Sequence, residues 1–433
     1  MRILSVFVLL VFVLFSYSCI PISLEVWQGE SGGIDPDQDS VTPQKYIATN
    51  YENVKAMWLS QYDLLPVYTS RGAQRERGDF EEKISLVLDN IADMGINTIF
   101  VQVRPFGDSF YPSEIYPISS YVSGEYGRDI CYDPFEIILK EAHRRGLSVH
   151  AWINPLRLMR DDEILMIDGS YKIKQWYLDE SANGKYLSSV SGRFYLNPAE
   201  KEIRELVCSG VAEILKKYEV DGIHIDDYFY PTTDESFDSA SYSEYLSRGG
   251  DLSLDDFRRN NVNSLVKEIY KTVKAENESV LFGVSPGGVM KNNYNLLFAD
   301  VAEWCRGEGY VDYLCPQLYF GFEHRTVPFD KLCHEFSAMV KSEKIKLIYG
   351  LSLGKAESEF DQYAGSGKYE WRDSKDILYR QLKYTEKIRN CSGVAIFSYR
   401  HIYDSVSGAR NQKTLDECEK MIPLLKTILW SGK

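Results

Sequence analysis

The sequence lacks a hydrophobic run long enough to cross a bilayer comfortably, a basic stripe and any repeated cysteine spacing. The first absence argues against a membrane-embedded body. The second, with a formal net charge of -14, argues against a nucleic-acid partner, because phosphate binding needs clustered Lys and Arg. The eight cysteines form no CxxC motif and no Cys/His cluster, so no disulfide framework, metal site or cofactor is predicted.

The N-terminus has the pattern of an export signal. Arg2 precedes a largely apolar stretch at residues 3–15, and small residues follow. Ser18 before Cys19 resembles a bacterial lipoprotein processing site. We therefore expect a signal peptide at residues 1–18 and a lipid on Cys19 that anchors an exported protein in the cell envelope. Plain secretion and an uncleaved anchor are the alternatives, and the oligomeric state is left open.

Residues 19–54 are predicted to comprise the lipidated cysteine and a linker, because they are rich in Gly, Ser, Asp and Pro and show no sustained periodicity. In residues 55–433, short apolar segments alternate with longer amphipathic ones, the pattern of βα units. The predicted strands are 56–63, 97–105, 148–155, 222–229, 280–287, 311–320, 346–354 and 393–400. Eight such units predict a single-domain α/β fold, the (β/α)8 TIM barrel. The alternative is a doubly wound open sheet, although no Gly-rich phosphate loop follows the first strand.

Polar and aromatic residues gather at the C-terminal ends of these segments on one strand face. Alternation along a strand places the following side chains on that face: Trp58, Ser60, Tyr62, Gln102, Arg104, His150, Trp152, Asn154, His224, Asp226, Gln317, Tyr319, Phe397 and Tyr399. The opposite face is aliphatic and is expected to meet the helices. The C-terminal mouth of such a barrel holds the active site, so this set predicts one. The same alternation turns Asp227 toward the scaffold.

Several stretches resemble the glycosyl hydrolase-like 10 family of bacterial exported proteins. They include AWINP at 151–155 and DGIHIDDYFYP at 221–231, and they run in order from about residue 55 to about residue 400. The resemblance implies a TIM barrel that acts on glycans, with a catalytic carboxylate at the end of the fourth strand. The chain departs from the family pattern at residues 300–304, where DVAEW lacks the Arg expected before the Trp.

A glycoside hydrolase needs two carboxyl groups beside the scissile bond. Asp226 is the predicted nucleophile or electrostatic stabiliser. Asp300, Glu323 and Asp227 are the candidates for the second carboxyl, in that order. Asp300 could instead cap a helix, and Glu323 could be a solvated loop residue.

The predicted substrate-binding residues are Arg104, Trp152, Asn154, Arg157, Tyr228, Gln317, Tyr319 and Tyr399. Arg104 and Asn154 would bind sugar hydroxyls or a carboxylate, and Arg157 would add charge for an acidic sugar. The four aromatic residues would supply stacking faces. Arg104 could instead form a salt bridge that keeps Asp226 ionised.

The leading interpretation is a glycoside hydrolase that cleaves O-glycosidic bonds of a polysaccharide or cell-wall glycan, with carbohydrate as its partner. A non-catalytic glycan-binding lipoprotein is the first alternative. A metal-dependent amidohydrolase is the second, and it would need His150, His224 and Asp226 around one point. Buried, hydrogen-bonded histidines are the default expectation for the two His residues.

Overall fold

A computed structural model describes residues 45–181 and 184–431, so the predicted signal peptide, Cys19 and most of the predicted linker lie outside the described residues. The strands in chain order are β1 (Val54–Leu59), β2 (Thr69–Ser70), β3 (Ala73–Gln74), β4 (Thr98–Arg104), β5 (Ser148–Ile153), β6 (Arg157–Arg160), β7 (Leu187–Val190), β8 (Arg193–Leu196), β9 (Gly222–Ile225), β10 (Leu281–Val284), β11 (Tyr313–Leu314), β12 (Lys346–Ser352) and β13 (Cys391–Phe397).

The helices are α1 (Gln61–Tyr68), α2 (Arg77–Asp93), α3 (Ser120–Ser123), α4 (Pro134–Arg144), α5 (Asp161–Met166), α6 (Lys172–Leu178), α7 (Lys201–Lys217), α8 (Ser239–Ser247), α9 (Leu254–Glu276), α10 (Met290–Leu296), α11 (Val301–Arg306), α12 (Phe329–Met339), α13 (Gly354–Ser358), α14 (Glu370–Ser374), α15 (Ile377–Thr385) and α16 (Leu415–Thr427). Within the described residues, no helix is both long enough and apolar enough to cross a bilayer.

Eight parallel strands close into a barrel in the order β1-β13-β12-β11-β10-β9-β5-β4. Each predicted strand segment overlaps one barrel strand, and helices lie between successive strands, so the predicted (β/α)8 barrel is confirmed. Two small antiparallel sheets were not predicted. One is the pair β2-β3, and the other is a three-stranded sheet, β6-β8-β7, inserted between β5 and α7. The three-stranded sheet follows the C-terminal end of β5 and therefore lies on the side of the barrel where an active site is expected.

Helix α4 shows how local sequence produces the outer layer. Asp133 precedes the helix and accepts hydrogen bonds from the backbone N–H groups of Phe135 and Glu136, while Pro134 occupies the first turn. Such a cap stabilises a helix by about 1 kcal/mol. The apolar positions, among them Phe135 and Ile138, are buried against the barrel. The spacing of apolar residues therefore determines which helix face meets the strands.

The barrel interior holds a buried polar group of three residues. The Tyr313 hydroxyl lies 2.8 Å from His150 Nδ1 and 2.9 Å from His224 Nδ1. Trp58 Nε1 donates a hydrogen bond to His224 Nε2. Burial lowers the pKa of His150 to about 4 and holds the pKa of His224 well below its ordinary value, so both imidazoles are neutral at pH 7.

The residues just before β1 are hydrogen-bonded to the N-terminal face of the barrel. Asp221, at the start of β9, accepts hydrogen bonds from the Tyr46 hydroxyl, the Thr49 N–H and the Val149 N–H at 2.6, 2.6 and 2.7 Å. His143 Nε2 lies 2.9 Å from the same carboxylate. Asp221 immediately precedes β9, and Asp226 immediately follows it. The segment that is hydrogen-bonded to Asp221 therefore lies at the opposite end of the barrel from the C-terminal mouth.

Candidate active site

A cavity of about 440 Å³ opens at the C-terminal ends of the barrel strands. Its lining comprises Trp58, Ser60, Gln61, Tyr62, Gln102, Trp152, Arg157, Tyr195, Asp226, Asp227, Tyr228, Phe229, Tyr230, Pro231, Ser285, Leu297, Gln317, Tyr319 and Phe397. Aromatic rings make up much of the wall, and two carboxyl groups lie among them. A cavity of this size and composition suits a small number of sugar rings.

Asp226 follows the last residue of β9 and is 4% exposed. Its Oδ2 accepts hydrogen bonds from Trp152 Nε1 at 3.0 Å and Asn154 Nδ2 at 2.6 Å. Asn154 Oδ1 in turn accepts a 2.7 Å bond from Gln102 Nε2. The side chains of three neighbouring strands therefore fix the orientation of the Asp226 carboxyl group. Asn154 is 1% exposed and does not line the cavity, so the structure does not place it where the predicted contact with sugar hydroxyls requires.

Asp227 also lines the cavity, so the prediction that it turns toward the scaffold is wrong. Its Oδ1 accepts a 3.1 Å hydrogen bond from Gln317 Nε2. The reason is that β9 ends at Ile225 and the chain bends at residue 227. The alternation of faces holds only within an extended strand, so it does not reach Asp227.

The two carboxyl groups differ in their surroundings. Burial, followed by the charge of Asp227, raises the pKa of Asp226 from 3.8 to about 7, against the opposing effect of its hydrogen bonds. Burial also raises the pKa of Asp227, while Gln317 and Arg157 act to lower it. Only Asp227 has a cation among the causes acting on its pKa. Because the two carboxyl groups interact, they take up protons as a pair.

Arg157 enters the cavity from the inserted sheet. Its guanidinium carbon lies 4.3 Å from the ring centroid of Tyr228 and 4.5 Å from that of Phe106. It forms no ion pair with a carboxylate of the described chain, and its buried Nε has no hydrogen-bond partner. Tyr195 of β8 pairs with Arg157 and lines the same wall. Tyr195 was missed as a site residue because the inserted sheet that carries it was not predicted.

The structure brings four other predicted residues into the wall, namely Trp152, Tyr228, Gln317 and Tyr319. Tyr228 is 42% exposed, which leaves one aromatic surface available at the rim. The Tyr319 ring packs against Phe397, with centroids 5.8 Å apart. These residues surround the two acids, as expected for a stacking site.

Arg104 does not reach the cavity, so its predicted role in sugar binding is wrong. The ladder between β4 and β5 shifts register after Gln102, and Arg104 then pairs with Ile153. Its side chain is 1% exposed and lies over the Tyr116 ring at 4.4 Å, beside Gly210 of α7. The β-bulge turns this residue to the helix-facing side, and the alternative salt bridge to Asp226 is not formed.

Tyr399 also lies outside the cavity, contrary to expectation. Strand β13 ends at Phe397, and Tyr399 belongs to the short turn that follows. Its hydroxyl accepts a 3.0 Å hydrogen bond from Asn90 Nδ2 on α2. Phe397 lines the cavity instead.

Asp300 and Glu323, the two preferred candidates for the second catalytic carboxyl group, do not line the cavity. Asp300 caps α11 by accepting a hydrogen bond from the Glu303 N–H at 3.0 Å. Glu323 lies in the loop after β11, where its N–H donates to Glu370. Trp304 donates a 2.7 Å hydrogen bond to Asn263, so the departure from the family pattern at residues 300–304 is also away from the cavity.

No group of three His, Cys, Asp or Glu side chains in residues 45–181 and 184–431 is arranged to hold a metal ion. Both ring nitrogens of His224 are engaged by Trp58 and Tyr313. The three residues that the amidohydrolase alternative requires thus form no ligand set in the described part of the chain.

The family model for glycosyl hydrolase-like 10 matches residues 53–364. The chain belongs to the glycosyl hydrolase-like 10 family. It is 31% identical over 400 residues to glycosyl hydrolase DigH of Escherichia coli K12, and the aligned region covers 84% of this chain and 88% of DigH. It is 30% identical over 388 residues to glycosyl hydrolase YngK of Bacillus subtilis 168, which covers 85% of this chain and 72% of YngK.

Among solved structures, the PgaB (BpsB) glycoside hydrolase domain of Bordetella bronchiseptica has a TM-score of 0.56 at 11% identity, covering 85% of this chain and 98% of that domain. At this identity the similarity concerns the fold. The chain therefore shares a TIM-barrel fold with this glycoside hydrolase domain, and its family membership supports a glycosidase at the family level.

Proposed function

We propose that this protein is a glycoside hydrolase that cleaves O-glycosidic bonds of a polysaccharide or cell-wall glycan in the cavity at the barrel mouth. One observation carries the proposal: two consecutive carboxyl groups, the buried Asp226 and the half-buried Asp227, line a cavity rich in aromatic rings. The names of the relatives, both glycosyl hydrolases, support carbohydrate as the substrate class.

In this proposal Asp226 is the general acid. A pKa of about 7 leaves about half of its carboxyl groups protonated at neutral pH and most of them protonated below it, so the group can protonate the oxygen of the leaving sugar. This role replaces the nucleophile or stabiliser role predicted from strand position. Trp152 and Asn154 hold the group in place while the proton moves.

Asp227 is the ionised member of the pair. Its negative charge would stabilise the positive charge that develops at the anomeric carbon, or attack that carbon directly. Gln317 and Arg157 support the ionised form. The rings of Tyr195, Tyr228 and Tyr319 offer stacking surfaces that position the sugar.

We also propose that the protein is exported and anchored by a lipid on Cys19. The attachment of residues 46–50 to Asp221 supports this, because it places the start of the tether on the face opposite the cavity and leaves the mouth open to a glycan. Mass spectrometry of the mature N-terminus should find lipidated Cys19 as its first residue. A mature chain beginning at any other residue would refute the anchor.

The catalytic proposal is tested with purified residues 20–433 incubated with a panel of polysaccharides and peptidoglycan, and the release of reducing ends is measured. The expected result is release from at least one glycan by the wild-type protein and none by Asp226→Asn. Glycan binding without release by the wild-type protein would favour the non-catalytic alternative. Equal release by both proteins would remove Asp226 from the mechanism.

A further inference from the structure

A second pocket adjoins the cavity. It has a volume of about 370 Å³ and is lined by Tyr62, Pro66, Arg400, Tyr403, Asp404, Ser405, Ala409, Arg410 and Asn411. Tyr62 lines both the cavity and this pocket, so the two share a wall. The pocket is formed by the segments that follow β1 and β13, which places it on the same C-terminal side of the barrel.

Two arginines give this pocket its character. The Arg400 guanidinium lies 5.6 Å from the Tyr62 ring centroid, and the Arg410 guanidinium lies 5.1 Å from that of Tyr403. Neither forms an ion pair with a carboxylate of the described residues. The Arg410 guanidinium donates a 3.4 Å hydrogen bond to the Tyr403 hydroxyl and also interacts with the Cys418 thiol. Both guanidinium groups are therefore without a carboxylate partner in the described residues.

Asp404, the acid in the pocket lining, forms no ion pair with either arginine. Asp404 Oδ1 accepts hydrogen bonds from the N–H groups of Val406 and Ser407 and from the Ser407 hydroxyl, so that oxygen is directed to its own turn. In a chain with a formal net charge of -14, a pocket with two unpaired arginines is a local exception. Such a site favours an anion.

The cavity also contains an arginine without an ion-pair partner among the described residues. This residue is Arg157, on the wall formed by the inserted sheet, and its guanidinium lies over aromatic rings. The other pockets differ. The pocket between residues 184–194 and 232–237 has no Lys or Arg in its lining. In the pocket on the N-terminal face, Lys140, Lys216 and Lys217 are paired with glutamates. Both the cavity and the pocket around Arg400 and Arg410 therefore have an arginine in their lining that forms no ion pair within the described residues.

We propose that the pocket around Arg400 and Arg410 is a subsite for a neighbouring sugar unit that carries a carboxylate, in a glycan that extends through the cavity. The inference rests on the proposed function, since it names the substrate class of the same site. Guanidinium groups bind carboxylates through paired hydrogen bonds, and the exposed Tyr62 ring offers a stacking face between the two sites. Occupation of both sites by one glycan is compatible with cleavage within the chain.

Binding is measured with the inactive variant Asp226→Asn, so that no substrate is consumed. The probes are polygalacturonate, alginate and peptide-stripped peptidoglycan strands, each compared with its carboxyl-reduced form. We expect at least one acidic glycan to bind at least about tenfold more tightly than its reduced form, the effect of one charged hydrogen bond. Adding Arg400→Gln and Arg410→Gln should weaken that binding by a similar factor.

The matched control is Arg389→Gln. It removes the same charge from an exposed arginine that precedes β13, on the opposite face of the barrel, and it should leave binding unchanged. The subsite is refuted if no acidic glycan binds more tightly than its reduced form, or if the double Gln variant binds as its parent does. It is also refuted if Arg389→Gln weakens binding equally, because the effect would then be one of net charge.

The two proposals fail in different ways. If the wild-type protein releases no reducing ends but the arginine-dependent binding is found, the proposed function fails and the subsite stands. If hydrolysis occurs but carboxyl reduction and the Gln substitutions have no effect on binding, the subsite fails and the hydrolase stands. Cleavage within the chain is checked separately, since it lowers solution viscosity before many reducing ends appear.

Discussion

Replacing the Asp226 carboxyl group with an amide should make the folded protein more stable at neutral pH. The carboxyl group is 4% exposed, and its pKa is raised from 3.8 to about 7 mainly by burial. A raised folded-state pKa means that the folded chain resists ionisation of this group. The protonated carboxyl group therefore makes its full contribution to the stability of the folded chain below pH about 4, and this contribution is lost as the pH rises to about 7.

The magnitude follows from the two pKa values. Because the group ionises more readily in the unfolded chain, its raised pKa destabilises the folded chain by about 2 kcal/mol at pH 5 and about 4 kcal/mol at pH 8. Asp226→Asn removes this cost, and the amide oxygen can still accept the bonds from Trp152 and Asn154. The variant should therefore exceed the wild-type protein in free energy of unfolding, by a margin that grows about 2 kcal/mol between pH 5 and pH 8.

Urea unfolding of residues 20–433, followed by tryptophan fluorescence at pH 5, 6.5 and 8, measures this margin. The control is Asp251→Asn, which makes the same chemical change at an exposed position and should give a margin near zero at every pH. A margin for Asp226→Asn that is independent of pH, or a less stable variant at pH 8, would refute the assigned environment of Asp226.

Three further substitutions test other parts of the site through kcat and KM on whichever glycan is cleaved. Asn154→Ala removes a hydrogen bond that lowers the pKa of Asp226, so the alkaline limb of the pH profile of kcat/KM should move to higher pH. The value of kcat should fall about 100-fold, because the carboxyl group is no longer held in place. An unchanged alkaline limb would contradict the positioning role. Arg157→Gln removes a charge that lowers the pKa of Asp227, so the acidic limb should move to higher pH, while Arg157→Lys should largely restore it. Tyr399→Phe should leave kcat/KM unchanged and lower the free energy of unfolding by about 1 kcal/mol, through loss of the Asn90 hydrogen bond; a large loss of activity would return Tyr399 to the site.

The barrel could be predicted from the sequence because the relevant signal is local. Alternating faces hold within each strand, and this correctly placed Trp152 and Asp226 on the inner side of β5 and β9. The same rule failed where the backbone stops being regular. A register shift turned Arg104 outward, and the ends of β9 and β13 changed the directions of Asp227 and Tyr399.

Two aspects of the site depend on long-range packing and carry little local signal. The first is the inserted sheet, whose pairing of Arg157 with Tyr195 joins residues 38 positions apart (195 − 157) and brings both to the cavity wall. The second is the choice of the second acid. Asp300 and Glu323 follow barrel strands in sequence as a catalytic residue would, yet the fold uses one as a helix cap and leaves the other in a loop.

The central claim is that Asp226, with Asp227 beside it, cleaves glycans in this cavity. The most direct test is kcat/KM for reducing-end release by residues 20–433 carrying Asp226→Asn, with Asp300→Asn and Glu323→Gln as matched neutral substitutions. Loss of a general acid typically lowers the rate by about 10²–10⁴-fold, so we expect a fall in that range for Asp226→Asn and changes of less than about threefold for the other two. Near-wild-type activity of Asp226→Asn, together with loss of activity in Asp300→Asn or Glu323→Gln, would contradict the account.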